Sequence, residues 1–153
     1  MRTLCIVPCG KKKIWDKEQN RDPTEPTKAR DVYIGPFAKK CIEYAEKFYP
    51  TSWCILSAKH GFLFPDDIVP GKYNVSFNNK STKPISQDEL SKQIIEKGLN
   101  KFDRIVVLGG RNYVNMVKAV FSQKEIHTPL SGCHGIGEMM QKLNDAIQRE
   151  SLL

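Results

Sequence analysis

Three short apolar segments without polar alternation constrain the fold of this chain more than any other feature. A strand with one solvent-facing side alternates apolar and polar residues, whereas a strand covered on both faces stays apolar throughout, as in parallel sheets. The three segments, and a weaker fourth one, lie at residues 3–7, 53–56, 104–108 and 125–127. The three apolar segments predict strands that are buried on both faces, and the fourth segment predicts a short strand.

A helical pattern follows each predicted strand. Pro36 opens the first helix, because proline at the first helical position loses no hydrogen bond, and Pro50 ends it. Ser86, with Glu89 three residues later, predicts the N-cap of the next helix. Strand and helix alternate four times, which predicts an α/β protein: a single three-layer, Rossmann-like domain over residues 1–153, with a mostly parallel four-stranded sheet and helices on both faces.

The composition narrows the class of protein. The chain has 153 residues, of which 40% are hydrophobic, which fits one globular domain with a real core. No apolar run approaches the roughly 20 residues that span a bilayer, and no leader-like segment is seen, so a cytoplasmic protein without a membrane partner is expected. The five cysteines are scattered, which predicts free thiols and neither a metal site nor another cofactor.

Polar, glycine-containing segments follow all four predicted strands. They lie at residues 8–13, 57–61, 109–111 and 127–137. The turns at the other ends of the strands are short, and ligands of open parallel sheets bind outside the carboxyl ends of the strands. The sequence therefore predicts a site formed by these segments and by the two long loops, 8–35 and 57–85, that continue from them.

The first segment combines a cysteine, a glycine and a run of lysines. Gly10 would let backbone N–H groups approach an anion, and Lys11 and Lys12 would add positive charge. A phosphate site is one interpretation, and a solvated charge run is the other. Cys9 is a candidate nucleophile, although a small buried thiol is the commoner role.

The second segment, Ser-Ala-Lys-His-Gly at 57–61, is the most specific one. His60 is a candidate general acid or base near neutral pH. Lys59 could hold phosphate or, if desolvated, act as a nucleophile. Ser57 is a candidate for ligand binding, and a plain surface turn is the alternative for all three residues.

The long loops supply further candidates. Asp66 or Asp67 could activate water or stabilise a cationic sugar in glycosidic chemistry, or form a turn beside a proline. Tyr73, Asn74 and Tyr33 could line a base pocket by stacking and hydrogen bonding. The alternative is that these three side chains only hold the loops together.

The last two segments contain glycines before predicted helices. Gly109 and Gly110 could present backbone N–H groups to a phosphate, with Arg111 as a cationic partner. Ser131 and Gly132 lie where the backbone could approach either a ligand or the sheet closely. Both patterns also occur in ordinary turns between strands and helices.

Several motifs resemble an uncharacterised family of small bacterial and phage proteins. They are Pro-Cys-Gly-Lys-Lys-Lys at 8–13, Ala-Arg-Asp-Val-Tyr at 29–33, Ser-Ala-Lys-His-Gly at 57–61 and Pro-Leu-Ser-Gly at 129–132. That family is distantly similar to the peroxide-stress YaaA proteins, which bind DNA, and to the core domain of archaeosine synthase, whose Pro-Cys-Ser motif has glycine in place of serine here. The His-Thr-Pro-Leu-Ser at 127–131 is similar to the His-Pro-Ser-Pro loop of uracil-DNA-glycosylase-like folds, whose Gly-x-Asp-Pro motif is missing. The resemblance implies a nucleobase or nucleic-acid context.

Three functional hypotheses remain open. The first is an enzyme that acts on a modified base, nucleotide or nucleic acid at an N-glycosidic bond, with His60 and one of Asp66 and Asp67 as acid–base residues. The second is a non-catalytic nucleic-acid or nucleotide-binding module, which needs the basic loops and the net charge of +7 but not His60. The third is a small-molecule or redox protein that uses Cys9.

Overall fold

The fold is mixed α/β and is organised around a five-stranded sheet. The computed structural model describes residues 2–17 and 22–153. Its strands are β1 (Thr3–Pro8), β2 (Thr27–Lys28), β3 (Trp53–Ser57), β4 (Gly61–Leu63), β5 (Ile68–Val69), β6 (Arg104–Val107) and β7 (Glu125–His127). Its α-helices are α1 (Ala29–Val32), α2 (Pro36–Phe48), α3 (Gln87–Glu96), α4 (Arg111–Val120) and α5 (Ile136–Arg149). Short 3-10 turns lie at Ile14–Asp16, Lys80–Thr82 and Leu99–Lys101.

The central sheet has the strand order β4-β3-β1-β6-β7. β1 pairs in parallel with both β3 and β6, and β6 pairs in parallel with β7. The prediction of a mostly parallel sheet is therefore confirmed. The prediction of four strands is wrong, because β4 adds a fifth, antiparallel strand beside β3.

A tight hairpin explains why β4 escaped the sequence analysis. Gly61 has a φ of +74°, a left-handed conformation that glycine adopts without strain, and it pairs directly with Ser57 across the hairpin. The returning strand has only three residues, all of them buried, which is too short for a periodic pattern. The small antiparallel sheet of β2 and β5 likewise lies inside segments that were predicted to be loops.

Successive residues of the central strands belong to two different hydrophobic clusters. Cys5 and Val7 of β1 pack in a cluster with residues of α2 and α5. Leu4 and Ile6 pack in a second cluster with residues of α3 and α4. All five residues of β3 are buried. Both sets of side chains are thus removed from water, which accounts for the missing polar alternation in the sequence.

The predicted helix starts are confirmed. Pro36 is the first residue of α2, and the Ser86 side chain caps α3 by accepting a hydrogen bond from the Glu89 backbone N–H at 3.1 Å. Proline and serine at these positions satisfy or remove backbone donors that lack a helical partner. In the described part of the chain, no helix combines the length and the apolar character that crossing a membrane requires.

Candidate functional site

A cavity of about 940 Å³ lies beyond the carboxyl ends of β1 and β6. Its volume is in the usual range for small-molecule sites. Apolar groups of its wall include Phe37, Phe77, Tyr113 and Met139. Polar groups of its wall include Lys11, Lys13, Asn74, Asn78, Arg111 and Asn112. We call this space the site cavity; the loop after β1, the loop before α3 and the first turns of α2, α4 and α5 enclose it.

Lys13 is the buried cation of the site cavity. It is only 5% exposed, and its Nζ donates a hydrogen bond to the Lys11 carbonyl oxygen at 3.0 Å. The same Nζ lies 4.4 Å from the centre of the Tyr73 ring, in cation–π geometry. Among residues 2–17 and 22–153, no carboxylate forms an ion pair with Lys13. Buried lysines are normally paired, so this one is unusual.

The carboxylate nearest to Lys13 in the sequence, that of Asp16, has other partners. Asp16 accepts a hydrogen bond from the Lys13 backbone N–H at 3.0 Å and pairs with the Lys72 ammonium group at 3.0 Å. The backbone hydrogen bond from Lys13 is the main reason that the pKa of Asp16 lies below its ordinary value. Asp16 thus closes the 3-10 turn after Lys13 and does not neutralise the Lys13 side chain directly.

Burial lowers the pKa of the Lys13 amine from its ordinary value. The Lys72 ammonium group acts in the same direction, while Cys9 and Asp16 act in the opposite direction. A lowered pKa increases the fraction of neutral amine near physiological pH. The neutral amine is the form of Lys13 that can attack a carbon atom or accept a proton.

A buried network of hydroxyl groups holds the Tyr73 ring under Lys13. The Tyr73 hydroxyl lies 2.5 Å from that of Tyr33 and 2.8 Å from that of Ser57. The Ser57 oxygen also accepts hydrogen bonds from the backbone N–H groups of Lys59 and His60, at 3.2 and 3.0 Å. Burial raises the pKa of Tyr73 to about 12 and that of Tyr33 still further, so both phenols stay neutral.

These contacts give the Ser-Ala-Lys-His-Gly segment a supporting position. The His60 ring packs edge-on against Tyr73, with 5.1 Å between ring centres, and Lys59 Nζ lies 5.6 Å from the Tyr73 ring centre. Neither residue lines the site cavity. The His60 Nε2 atom is buried and finds no hydrogen-bond partner in the described residues. Burial lowers the pKa of His60, and the charges of Lys59 and Lys97 add to this effect.

Cys9 and Tyr113 join the first strand to α4 at the cavity wall. The Cys9 Sγ lies 3.1 Å from the Tyr113 hydroxyl, which also accepts a hydrogen bond from the Gly10 backbone N–H at 3.4 Å. Gly10 has a φ of +68°, which suits glycine. Burial raises the pKa of Tyr113 above its ordinary value. Cys9 is 4% exposed, as expected for a small packed thiol.

The remaining predicted anion-binding residues divide into two groups. Gly110 and Arg111 border the site cavity at the start of α4, and Lys11 borders it from the loop after β1. Gly109 lies against Pro8 and Tyr113 and has a φ of +135°, so it allows close packing of two elements. Lys12, Ser131 and Gly132 are exposed and do not line the cavity.

Asp66 and Asp67 lie far from the predicted acid–base position. The antiparallel β4 carries the chain back along β3, so that Leu63 pairs with Ile55 and the following loop reaches the amino end of β3. There Asp66 pairs with Arg30 at 3.2 Å and borders a second cavity of about 270 Å³. Asp67 pairs with Lys97 at 3.2 Å. The structure does not bring either carboxylate to His60 or to the site cavity.

The thiols and the acidic side chains form no metal centre in the part of the chain that is described. No group of three or more His, Cys, Asp or Glu side chains there could hold a metal ion. All five cysteines are free. Burial raises the pKa of Cys5, Cys41 and Cys54, which keeps these three thiols protonated and unreactive.

Comparison with known proteins identifies the family. The model of DUF6884, a family of unknown function, matches residues 4–145. The chain belongs to this family. It is also 44% identical over 151 residues to the uncharacterized protein YfjM of Bacillus subtilis (strain 168), and the match covers 98% of each chain. No solved structure gave a significant match. Membership of an uncharacterised family, as predicted from the motifs, is thereby confirmed.

Sequence reasoning missed several residues of this DUF6884 site. Lys13 was the third lysine of a run and carried no distinguishing pattern, although Asp16 three residues later could have indicated a turn that fixes its backbone. Tyr113 lies at helical spacing with Val114 and Val117 of α4, a pattern that gives no sign of a site. Asn78 and Asn112 carried no motif. The Asn112 side-chain amide donates to the Asn78 side chain, a contact between distant segments that only the folded chain makes.

Proposed function

We propose that this protein binds a nucleotide, free or within a nucleic acid, in the site cavity and acts at its N-glycosidic bond. The observation that carries the proposal is the buried Lys13 amine, which no described carboxylate neutralises. An uncompensated buried cation destabilises a fold. Such a group is retained where a ligand makes use of it, and perturbed titratable groups in cavities are typical of functional sites.

The walls of the site cavity suit a nucleobase. Phe77 and Tyr113 pack edge to face with 5.7 Å between ring centres, and aromatic rings at cavity walls provide stacking surfaces for bases. Asn74, Asn78 and Asn112 add amide groups, which can both donate to and accept from a base edge.

The rim of the cavity suits a phosphate. Lys11, in the loop after β1, and Arg111, at the first turn of α4, both line the cavity and are exposed. Exposed Lys80 and Lys83 flank Asn79 and Thr82, which also line the cavity. Cations around a cavity mouth attract polyanions and release counterions when phosphates bind.

Acid–base catalysis by a carboxylate pair does not fit this cavity. Among residues 2–17 and 22–153, no aspartate or glutamate lines it, and glycosidases of the usual kind need two. We therefore assign the chemistry to Lys13 and give His60 a supporting role under Tyr73. The same lack of a carboxylate favours a second candidate, a non-catalytic nucleic-acid or nucleotide-binding module that uses the cations and the aromatic walls alone.

We further propose that the chain is a single cytoplasmic domain with a three-layer, Rossmann-like arrangement, distantly related to the YaaA proteins, archaeosine synthase and uracil-DNA-glycosylase-like folds. The two hydrophobic clusters formed by alternate residues of β1 support the layered arrangement. The His-Thr-Pro-Leu-Ser stretch at 127–131 begins in β7 and precedes α5. This position corresponds to a loop at the carboxyl end of a strand, which supports the likeness to the glycosylase loop.

A fluorescence-anisotropy titration tests the binding part of this proposal. Labelled single-stranded and duplex DNA and RNA would be titrated at low and moderate salt. We expect the double variant Lys11→Ala/Arg111→Ala to bind about tenfold more weakly than the wild type and to show a log–log salt slope smaller by about two.

The matched control is Lys47→Ala/Lys101→Ala, which removes the same charge from exposed positions at the other end of the sheet. It should leave affinity nearly unchanged. An equal loss in both double variants would contradict binding at the site cavity. Absence of wild-type binding at every salt concentration would contradict the nucleic-acid proposal, and free nucleotides tested by calorimetry would decide what remains of it.

A further inference from the structure

We infer that the Lys13 ε-amine is the nucleophile of the site cavity and forms an imine with C1′ of the bound nucleotide's sugar. The inference deepens the proposed function and rests on it. It replaces Lys59, the lysine for which the sequence suggested a nucleophilic role, because Lys59 is exposed and does not line the cavity.

The geometry around Lys13 favours a reactive amine over a structural ammonium group. A structural lysine is usually held by a carboxylate, whereas the partners of Lys13 in the described part of the chain are a backbone carbonyl oxygen and an aromatic ring. Both partners tolerate a neutral amine, which still donates one N–H to the Lys11 oxygen. A neutral amine bound in this way keeps its lone pair free to attack a carbon atom in the cavity.

The charged and titratable groups that act on Lys13 come from three directions. The Cys9 thiol lies in the loop after β1, the Asp16 carboxylate closes the next turn, and the Lys72 ammonium group approaches from the loop before α3. Tyr73 beneath it stays neutral. Asp16 and Lys72 largely cancel each other, because they form an ion pair at 3.0 Å. Desolvation is the largest of these influences and shifts the equilibrium of Lys13 toward the uncharged, nucleophilic form.

The reaction balances without an external oxidant or reductant. The nitrogen lone pair forms a bond to C1′ as the bond from C1′ to the base breaks, and the base leaves with that electron pair and with a proton from the amine. The resulting N,O-acetal at C1′ opens: nitrogen forms the C=N bond, and O4′ takes the C1′–O4′ electron pair and the second proton. Water then adds to the imine, releasing the C1′ aldehyde and restoring the amine. The net change is hydrolysis of the N-glycosidic bond.

Borohydride trapping tests the inference. An oligonucleotide with an abasic site presents the C1′ aldehyde directly, so that an imine forms without prior base release and borohydride converts it into a stable amine. We expect the wild type to form a covalent adduct that peptide mapping assigns to Lys13. The variant Lys13→Met should form at least tenfold less adduct, while Lys12→Met, which alters the exposed neighbour, should match the wild type.

A parallel measurement separates binding from chemistry. The same proteins would be titrated with an oligonucleotide that carries a tetrahydrofuran abasic analogue, which has no aldehyde. The inference is supported if Lys13→Met binds the analogue, forms no trapped adduct, and has the same circular-dichroism spectrum as the wild type. If Lys13→Met fails to fold, Lys13→Arg takes its place, because it keeps a cation beside Tyr73. It must show the same loss of trapped adduct.

Two results would overturn the inference while leaving the binding proposal intact. They are wild-type binding of the analogue without any trapped adduct, and an adduct of equal yield in the wild type and the Lys13 variants. If the wild type neither binds the analogue nor traps the abasic oligonucleotide, the proposed function and the inference both fail. A Cys9→Ser variant that traps normally would further show that the thiol is not the attacking group.

Discussion

Two lysines at opposite ends of the sheet have similar surroundings and differ in one partner. At the amino end, Lys97 Nζ lies 5.2 Å from the centre of the Phe64 ring. At the carboxyl end, Lys13 Nζ lies 4.4 Å from the centre of the Tyr73 ring. Each amine also donates to a backbone carbonyl oxygen. Lys97, however, pairs with Asp67 at 3.2 Å, whereas in the described chain Lys13 has no carboxylate partner.

This difference separates a structural lysine from a functional one. The Asp67 carboxylate pairs with Lys97 and also accepts a hydrogen bond from the Phe64 backbone N–H at 2.8 Å, so the charge of Lys97 is compensated. At the carboxyl end, the buried Lys13 amine remains available to pair with a ligand that enters the cavity. Functional sites commonly retain such unfavourable groups at a cost in stability.

The largest expected effect compares two left-handed glycines, one at each end of the sheet. Gly61 has a φ of +74° and Gly98 a φ of +69°. A Cβ at Gly61 would lie 2.2 Å from Gln93 Oε1, whereas a Cβ at Gly98 would meet nothing within 4 Å. Gln93 accepts from the Phe62 N–H and donates to the His60 carbonyl oxygen. Displacing it would leave both buried groups without their partner.

We expect Gly61→Ala to lower the free energy of unfolding by about 3 kcal/mol, from roughly 1 kcal/mol of backbone strain and roughly 1 kcal/mol for each lost hydrogen bond. Gly98→Ala should cost about 1 kcal/mol, from strain alone. Urea denaturation of both variants measures the two values. Equal losses would mean that Gln93 does not brace the hairpin that carries His60.

The same two ends show what a sequence can predict. The buried parallel strands and the capped helices could be predicted from local patterns, because burial on two faces and N-capping both depend on residues that are close together in the chain. The separation of Asp66 and Asp67 from His60 depends on the three residues of β4, which reverse the chain at Gly61. A strand of three residues is too short to show a periodic pattern of apolar residues, so the sequence alone did not predict its effect on the site.

The sequence predicted where a candidate site should lie but not all of the residues that form it. The rule that ligands bind at the carboxyl ends of parallel strands predicts a site there, and the structure has a cavity at this place that Cys9 and Arg111 line. It could not distinguish Lys13 from Lys12, because only the turn closed by Asp16 buries one and exposes the other. Burial of a particular side chain is a tertiary property, and lysine runs carry no periodic sign of it.

Replacing each of the two lysines by methionine should change stability in opposite directions. Lys97→Met removes an ion pair and leaves Asp67 without its cation, which we expect to cost about 1 kcal/mol, since the pair is partly exposed. Lys13→Met replaces a buried amine that no described carboxylate compensates by an apolar side chain of similar length and should stabilise the fold by about 1 kcal/mol. Urea denaturation at neutral pH measures both. Destabilisation by Lys13→Met as large as that by Lys97→Met would mean that Lys13 is a structural residue.

The smallest expected effect concerns His60, on which the charges of Lys59 and Lys97 both act. Its pKa is lowered in the folded state, so between that value and the unfolded value near 6.5 the unfolded chain binds more protons. Stability should therefore fall as the pH drops below about 6.5, and the loss should be complete once the folded pKa is passed. His60→Gln should reduce this acid-side loss, measured as the difference in Tm between neutral and mildly acidic buffer, whereas the exposed His134→Gln should not.

A histidine titration followed by NMR refines this last comparison. Lys59→Met and Lys97→Met should each raise the pKa of His60, because each removes a positive charge that disfavours the imidazolium. Asp67, whose negative charge then remains unpaired at the amino end, favours the imidazolium as well and should act in the same direction as Lys97→Met. If neither variant moves the titration, burial alone sets the pKa of His60, and the two ends of the sheet act independently of each other.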